Sequence, residues 1–170
     1  MQSTLNTPLQ TTHITREDVQ QLVREPSAAM RSRIAQKITA GYNAGMLSDS
    51  ETKLANEIFR LLLKDTEIKV RRLIAEELQH NMQVPHDVIW ALANDQTEVA
   101  VPVLRHSNVL TEEDLMLVVR ATRDAAKWAA IAQRDSISKE LAHTLVETRD
   151  EKIAKLVIGN RSATMAETSM

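Results

Sequence analysis

The 170-residue chain has no cysteine, three glycines, four prolines and only 2% aromatic residues. Without cysteine there is no disulfide, no thiol nucleophile and no Cys-ligated zinc or iron–sulfur centre, and the chain suits a reducing compartment. Sandwiches and barrels need many turns and strand-forming residues, so scarce glycine, proline and aromatics in an Ala/Leu/Val-rich chain read as all-α. A formal net charge of −2 provides no global excess for holding nucleic acid or an anionic membrane, and so few aromatics leave little to stack on bases. No apolar run approaches the roughly 20 residues of a helical membrane span. Residues 1–14, rich in Thr, Gln and Asn, lack the basic-then-apolar pattern of a leader. The expectation is a soluble, cytoplasmic protein with a disordered tail over 1–14 and a single domain over 15–170.

What the chain does contain is a period. Leu104-Arg-His106, Ile131-Ala-Gln133 and Ile158-Gly-Asn160 recur every 27 residues, a spacing that marks stacked supersecondary units, each too small to bury its own apolar face. Residues 15–64 read as capping helices. Thr15 with Asp18 signals a start and Pro26 a stop, and Ser27 begins a helix carrying Met30, Ile34 and Ile38 that Gly41 and Gly45 end. Ser48 or Asp49 then opens an amphipathic helix over about 50–64 with Leu54, Ile58, Leu61 and Leu62 on one face.

Residues 65–161 carry the repeats. Asp65, Asp95, Asp124 and Asp150 are read as N-caps, because a carboxylate there accepts from the free N–H groups of a first turn. The helices they open turn Val70, Leu73 and Ile74, then Val99, Val103 and Leu104, then Ala126, Ala130 and Ile131, then Ile153, Val157 and Ile158 inward. Second elements start at Pro85, Thr111 and Ser138 and bury Ile89, Leu92 and Ala93, then Leu115, Val118 and Val119, then Ala142, Leu145 and Val146. Residues 162–170 offer no further apolar run. They are expected to be mobile, with the open C-terminal edge covered by a second copy of the chain in a homodimer, or by further sequence if the chain is a fragment.

The strings Val70-Arg71-Arg72-Leu73-Ile74-Ala75-Glu76, Val84-Pro85 followed by Ala91-Leu92-Ala93-Asn94-Asp95, Val101-Pro102-Val103-Leu104 before Leu110-Thr111-Glu112-Glu113-Asp114-Leu115, and Ile131-Ala132-Gln133-Arg134 resemble HEAT-like and leucine-rich-variant helical repeats. More narrowly, they resemble a bacterial family of helical-repeat proteins of unknown function, over about Glu51 to Ala163. The resemblance implies a right-handed α-solenoid and supplies no activity, cofactor or site. Two features depart from it. A 27-residue period is short for two full helices, which makes the second element partly 3₁₀, and Pro102 should bend or shorten its helix.

Several polar patterns compete for a functional reading. His106, Gln133 and Asn160 share one repeat position and are expected to close backbone hydrogen bonds in turns, in preference to forming a ligand-reading stripe. Glu77-Leu-Gln-His80 and Glu140-Leu-Ala-His143, with Glu57 before them and Glu112 or Glu113 between, follow the ligand order of di-iron helical bundles. Motifs two repeats apart would lie about 20 Å from each other at about 10 Å per stacked helix, too far to share a metal. His80 with His86 and Asp87 could bind a metal across a loop, and is expected instead to be a loop-exposed group. No catalytic residue, metal ligand or cofactor is assigned.

Arg60, Lys64, Lys69, Arg71 and Arg72 form the one basic cluster, the basis of an alternative nucleic-acid-binding reading. Interleaved Glu57, Asp65, Glu67, Glu76 and Glu77 point to a salt-bridged face. The second elements align Asp87, Glu113 and Glu140 in one column, Trp90, Met116 and His143 in the next, and Asn94, Arg120 and Glu147 in a third. Lining the concave side of a solenoid, these residues would form a groove with a soft apolar centre and a mainly acidic edge. The expected function is a non-catalytic scaffold that binds a helix or peptide of a protein partner, with nucleic-acid binding and then a di-iron enzyme as the alternatives.

Overall fold

The computed structural model describes residues 14–24 and 27–164, and among them there is no strand. Eleven helices follow in order: α1 (Arg16–Arg24), α2 (Ala28–Asn43), α3 (Asp49–Leu62), α4 (Ile68–Leu78), α5 (His86–Ala93), α6 (Thr97–His106), α7 (Glu112–Ala121), α8 (Ala125–Ala132), α9 (Lys139–Val146), α10 (Glu151–Gly159) and α11 (Arg161–Thr164). The chain is all-α over these residues. Ile14, expected to belong to the disordered tail, is buried in the core. Residues 1–13, the stop at Pro26 and residues 165–170 lie outside the described residues.

Side-chain chemistry explains where the helices begin. Ahead of α1 the Thr15 N–H donates to the Asp18 carboxylate at 2.8 Å, and the Asp18 N–H returns a bond to Thr15 Oγ1 at 3.4 Å. Ser48 with Glu51 at α3 and Thr111 with Asp114 at α7 build the same reciprocal box. Ser138 caps α9, while Asp124 and Asp150 each accept two first-turn N–H groups at α8 and α10. Asp65 and Asp95 are not N-caps: Glu67 and Gln96 hold those positions. Lying one or two residues upstream, the two carboxylates instead receive arginines from the neighbouring helix.

Two expected breaks do not occur. Helix α2 continues through buried Gly41 to Asn43, and the left-handed residue that turns the chain is Gly45 at φ 64°. Helix α6 runs unbroken from Thr97 to His106 with Pro102 inside it. Proline removes the bond that its N–H would make to the Glu98 carbonyl, but Val99, Ala100, Val103 and Leu104 are all fully buried on either side. Their packing holds both turns in helical geometry.

Every other helix packs on the next: α2 on α4, α4 on α6, α6 on α8 and α8 on α10. Helices α3, α5, α7 and α9 pack against this row, and α3 also meets α5 as α7 meets α9. The second elements are α-helices of 8, 10 and 8 residues, not 3₁₀. At 1.5 Å per residue they are only about 12–15 Å long, short enough to fit the 27-residue period once the turns are tight.

Most of the expected core is inside, with four exceptions. Leu61 is 43% exposed because Ala55, Ile58, Phe59 and Leu62 form the inward face of α3. Ala126 is exposed on α8, and Lys127 is buried in its place. On α9 the inward face is Leu141, Ala142, Thr144 and Leu145, which leaves Val146 48% exposed. Ile158 is 73% exposed although its period mates Leu104 and Ile131 are fully buried. The reason is positional: α8 packs on α6 and α10 packs on α8, whereas the only later helix among the described residues is the four-residue α11. Within that helix Ser162 Oγ accepts the Ile137 N–H at 2.9 Å and Ala163 packs against the core, although both fall in the segment expected to be mobile.

Candidate functional site

Consecutive helices are tied by charge at two levels. In the α2–α10 row, Arg31 donates two hydrogen bonds to Asp65, at 2.5 and 3.0 Å. Arg71 does the same to Asp95, at 2.6 and 2.9 Å, and its Nη1 reaches back to the Asp65 carbonyl. Further along, Thr97 donates to Asp124 and Lys127 Nζ donates to the Asp95 carbonyl at 2.6 Å. Burial pushes the Asp65 and Asp95 carboxyls up, but the arginine and backbone hydrogen bonds outweigh it and hold both below their ordinary value. In the other row, Arg60 pairs with Asp87 at 2.7 Å, His86 Nε2 meets Asp114 at 2.7 Å, and Ser138 donates to Glu112.

These ties set α7 beside α9, and between them lies an open cleft of about 710 Å³ lined by Met116, Arg120, Lys139, Glu140, His143, Thr144 and Glu147. Five of the nine residues picked from the periodicity thus meet in one place: Met116, Arg120, Glu140, His143 and Glu147. His143 Nδ1 stands 3.6 Å from Glu147 on the same helix face. Leu117, 53% exposed, adds apolar surface on α7.

The other four candidates do not line that cleft. Asp87 is engaged by Arg60, whose hydrogen bond holds its carboxyl below the usual value. Trp90 is half-buried against the core and stacks on His86, with centroids 6.3 Å apart and planes 9° from parallel. Asn94 turns its amide onto the Trp90 carbonyl at 2.8 Å. Glu113 is exposed on α7. Periodicity overlooked Lys139 and Thr144, which flank Glu140 and His143 on the turn nearest α7; helical positions three and four apart from the chosen residues would have pointed to them.

The remaining patterns separate. Of the basic cluster, Arg71 is buried and paired with Asp95, Arg60 with Asp87 and Arg72 with Glu76, so three of five cations already face carboxylates. The group of His80, His86 and Asp87 is dispersed: His80 lies against His106, His86 meets Asp114 and Asp87 meets Arg60. Among the described residues no three His, Asp or Glu side chains come together to hold a metal ion. Of the polar column only Asn160 closes a turn, donating to the Ala132 and Arg134 carbonyls at 3.0 and 2.8 Å. The turn after α6 is closed by Arg134, which donates to the Leu104 and Ser107 carbonyls. His106 and Gln133 are exposed.

Over the described residues the chain is all-α, with several charged side chains tying one helix to the next, and no described helix is long and apolar enough to cross a membrane. Residues 99–170, from inside α6 onward, are similar to a bacterial family described as an uncharacterised protein conserved in bacteria (DUF2336). No curated protein and no solved structure matches the chain.

Proposed function

We propose that the chain is a right-handed α-solenoid of HEAT-like or leucine-rich-variant-like repeats. Acting as a non-catalytic scaffold, it binds a helix or extended peptide of another protein along α7 and α9. The observation that carries this reading is the 710 Å³ cleft, in which Met116 is flanked by Arg120, Glu140, His143 and Glu147. A half-buried thioether adapts to irregular apolar surfaces, and charges of both signs around it fix register more than they add affinity. Arg120, Glu140, His143 and Glu147 are exposed, and the Thr144 hydroxyl is taken up by the Glu140 carbonyl at 2.9 Å, an arrangement that suits recognition more than nucleophilic chemistry.

Selection of displayed 15-residue peptides on the purified chain, followed by titration of the best binder, tests the proposal. Met116→Glu is expected to weaken that binder at least tenfold while leaving helicity unchanged. Selection of no saturable binder, or equal affinity for the variant, would overturn the reading.

A further inference from the structure

The open face of α10 presents a surface that the earlier helices of its row use for packing. At positions 27 residues apart, Ala100 and Leu104 on α6 and Lys127 and Ile131 on α8 are buried, and each of those helices is followed by another in the row. On α10 the same positions hold Ala154, half-buried, and Ile158, 73% exposed. Helix α11 leaves Ile158 uncovered, its Ser162 bound instead to the Ile137 N–H. We propose that this face docks one helix of another protein, seated on α10 as α10 is seated on α8.

Contacts along the row give the direction and chemistry of that helix. Thr97, at the start of α6, donates to Asp124, the N-cap of α8. Past the end of α8, Arg134 donates to the Leu104 and Ser107 carbonyls at 2.8 and 2.9 Å, and past the end of α10, Asn160 donates to the Ala132 and Arg134 carbonyls at 3.0 and 2.8 Å. Starts meet starts and ends meet ends, so these helices run parallel. Inward, α6 turns Val99 and Val103 and α10 turns Ile153 and Val157, branched side chains four residues apart on one helix face. The fitting partner is therefore a helix parallel to α10, with a branched aliphatic pair at that spacing and an amide or guanidinium three or four residues further on to meet the carbonyls that end α10. Exposed Lys152 and Lys155 outnumber Glu151 along α10, which favours a partner of net negative charge. A second copy of the chain does not meet these conditions. Two-fold pairing sets the patch against itself, while the copy's own Ile153, Val157 and Asn160 are engaged on α8. Stacked head to tail, a copy would offer α1, whose described exposed side chains, Arg16, Glu17, Gln20 and Arg24, are all polar.

The test is calorimetric titration of the full chain with a helix-stapled peptide of residues 149–162 bearing Lys152→Glu and Lys155→Glu, a probe that frees Ile153, Val157 and Asn160 from α8. One saturable site per chain is expected. Its affinity should fall at least tenfold with Ile158→Asp in the chain or Val157→Asp in the peptide, fall at least threefold when both lysines are restored, and stay unchanged with Met116→Glu, which separates this face from the α7–α9 cleft. Circular dichroism of Ile158→Asp should match the parent, since that side chain is exposed, and sedimentation at about 50 μM should give a monomer. No saturation below about 500 μM, or equal affinity in Ile158→Asp or with the lysines restored, would overturn the proposal. A dimer that Ile158→Asp dissociates would overturn it too, by assigning the face to a second copy.

Discussion

At the scale of single residues, the cations and carboxylates between helices carry the account. Lys127 is 8% exposed and its ammonium donates to the Asp95 carbonyl. Removing it would leave a part-buried carbonyl without that donor, a loss of about 1 to 3 kcal/mol. Lys127→Ala should therefore destabilise measurably in urea, beside about 2 to 5 kcal/mol for Ile131→Ala, which empties a fully buried site. A neutral Lys127→Ala would contradict the placement of its side chain. The sequence offered little warning here. A lysine one position from an inward alanine reads as solvated, and only the approach of the Asp95 turn gives its ammonium a partner. Asp65 and Asp95 were legible as helix-start carboxylates, but their arginine partners lie 34 and 24 residues away and no local pattern reports them.

The same carboxylates give stability a pH dependence. Their folded pKa values lie below the ordinary value, so they stabilise the fold fully above the unfolded pKa near about 3.9, and that contribution disappears as pH falls through the folded values. Urea midpoints should therefore fall from pH 5 toward pH 2, and Asp95→Asn should flatten the decline while lowering stability at pH 7. An unchanged slope in Asp95→Asn would show that the Arg71 pair is not linked to folding.

At the scale of helices, starts were readable and faces less so. Thr15, Ser48, Thr111 and Ser138 announce their helices because a side-chain oxygen meets N–H groups only two or three residues on, a purely local event. Thr111→Ala should cost about 1 kcal/mol, and Thr111→Ser should restore most of it by keeping the hydroxyl that caps Asp114. Equal loss in both would exclude the cap as the cause. Inward faces depend on which neighbour lies where. Leu61, Val146 and Ile158 are apolar enough for the core, yet the helices beside them turn Phe59, Leu141 and Val157 inside. Pro102 shows the same rule in reverse: local chemistry argues for a break, and the fully buried residues around it override that preference.

At the scale of the molecule, the column of Leu104, Ile131 and Ile158 is buried on α6 and α8 and exposed on α10. Ile158→Asp should change stability by no more than about 0.5 kcal/mol, whereas Ile131→Asp on the preceding helix should abolish cooperative folding. A large loss in Ile158→Asp would show that this edge is covered in solution. The candidate groove was legible only where α7 and α9 meet. On α5, Trp90 and Asp87 are taken up by His86 and Arg60, and periodicity cannot tell a side chain pointing into a groove from one paired with its neighbour.

The central claim, that the α7–α9 cleft receives a helix or peptide of another protein, is tested most directly by a photo-cross-linking residue placed at Met116 and, as a control, at exposed Arg33 on α2 in the intact cell. The account predicts adducts from Met116 alone, joining one protein through positions spaced along a single short segment and lost when Arg120→Glu is added. Adducts from Arg33 with none from Met116, or adducts of Met116 to nucleic acid, would contradict it.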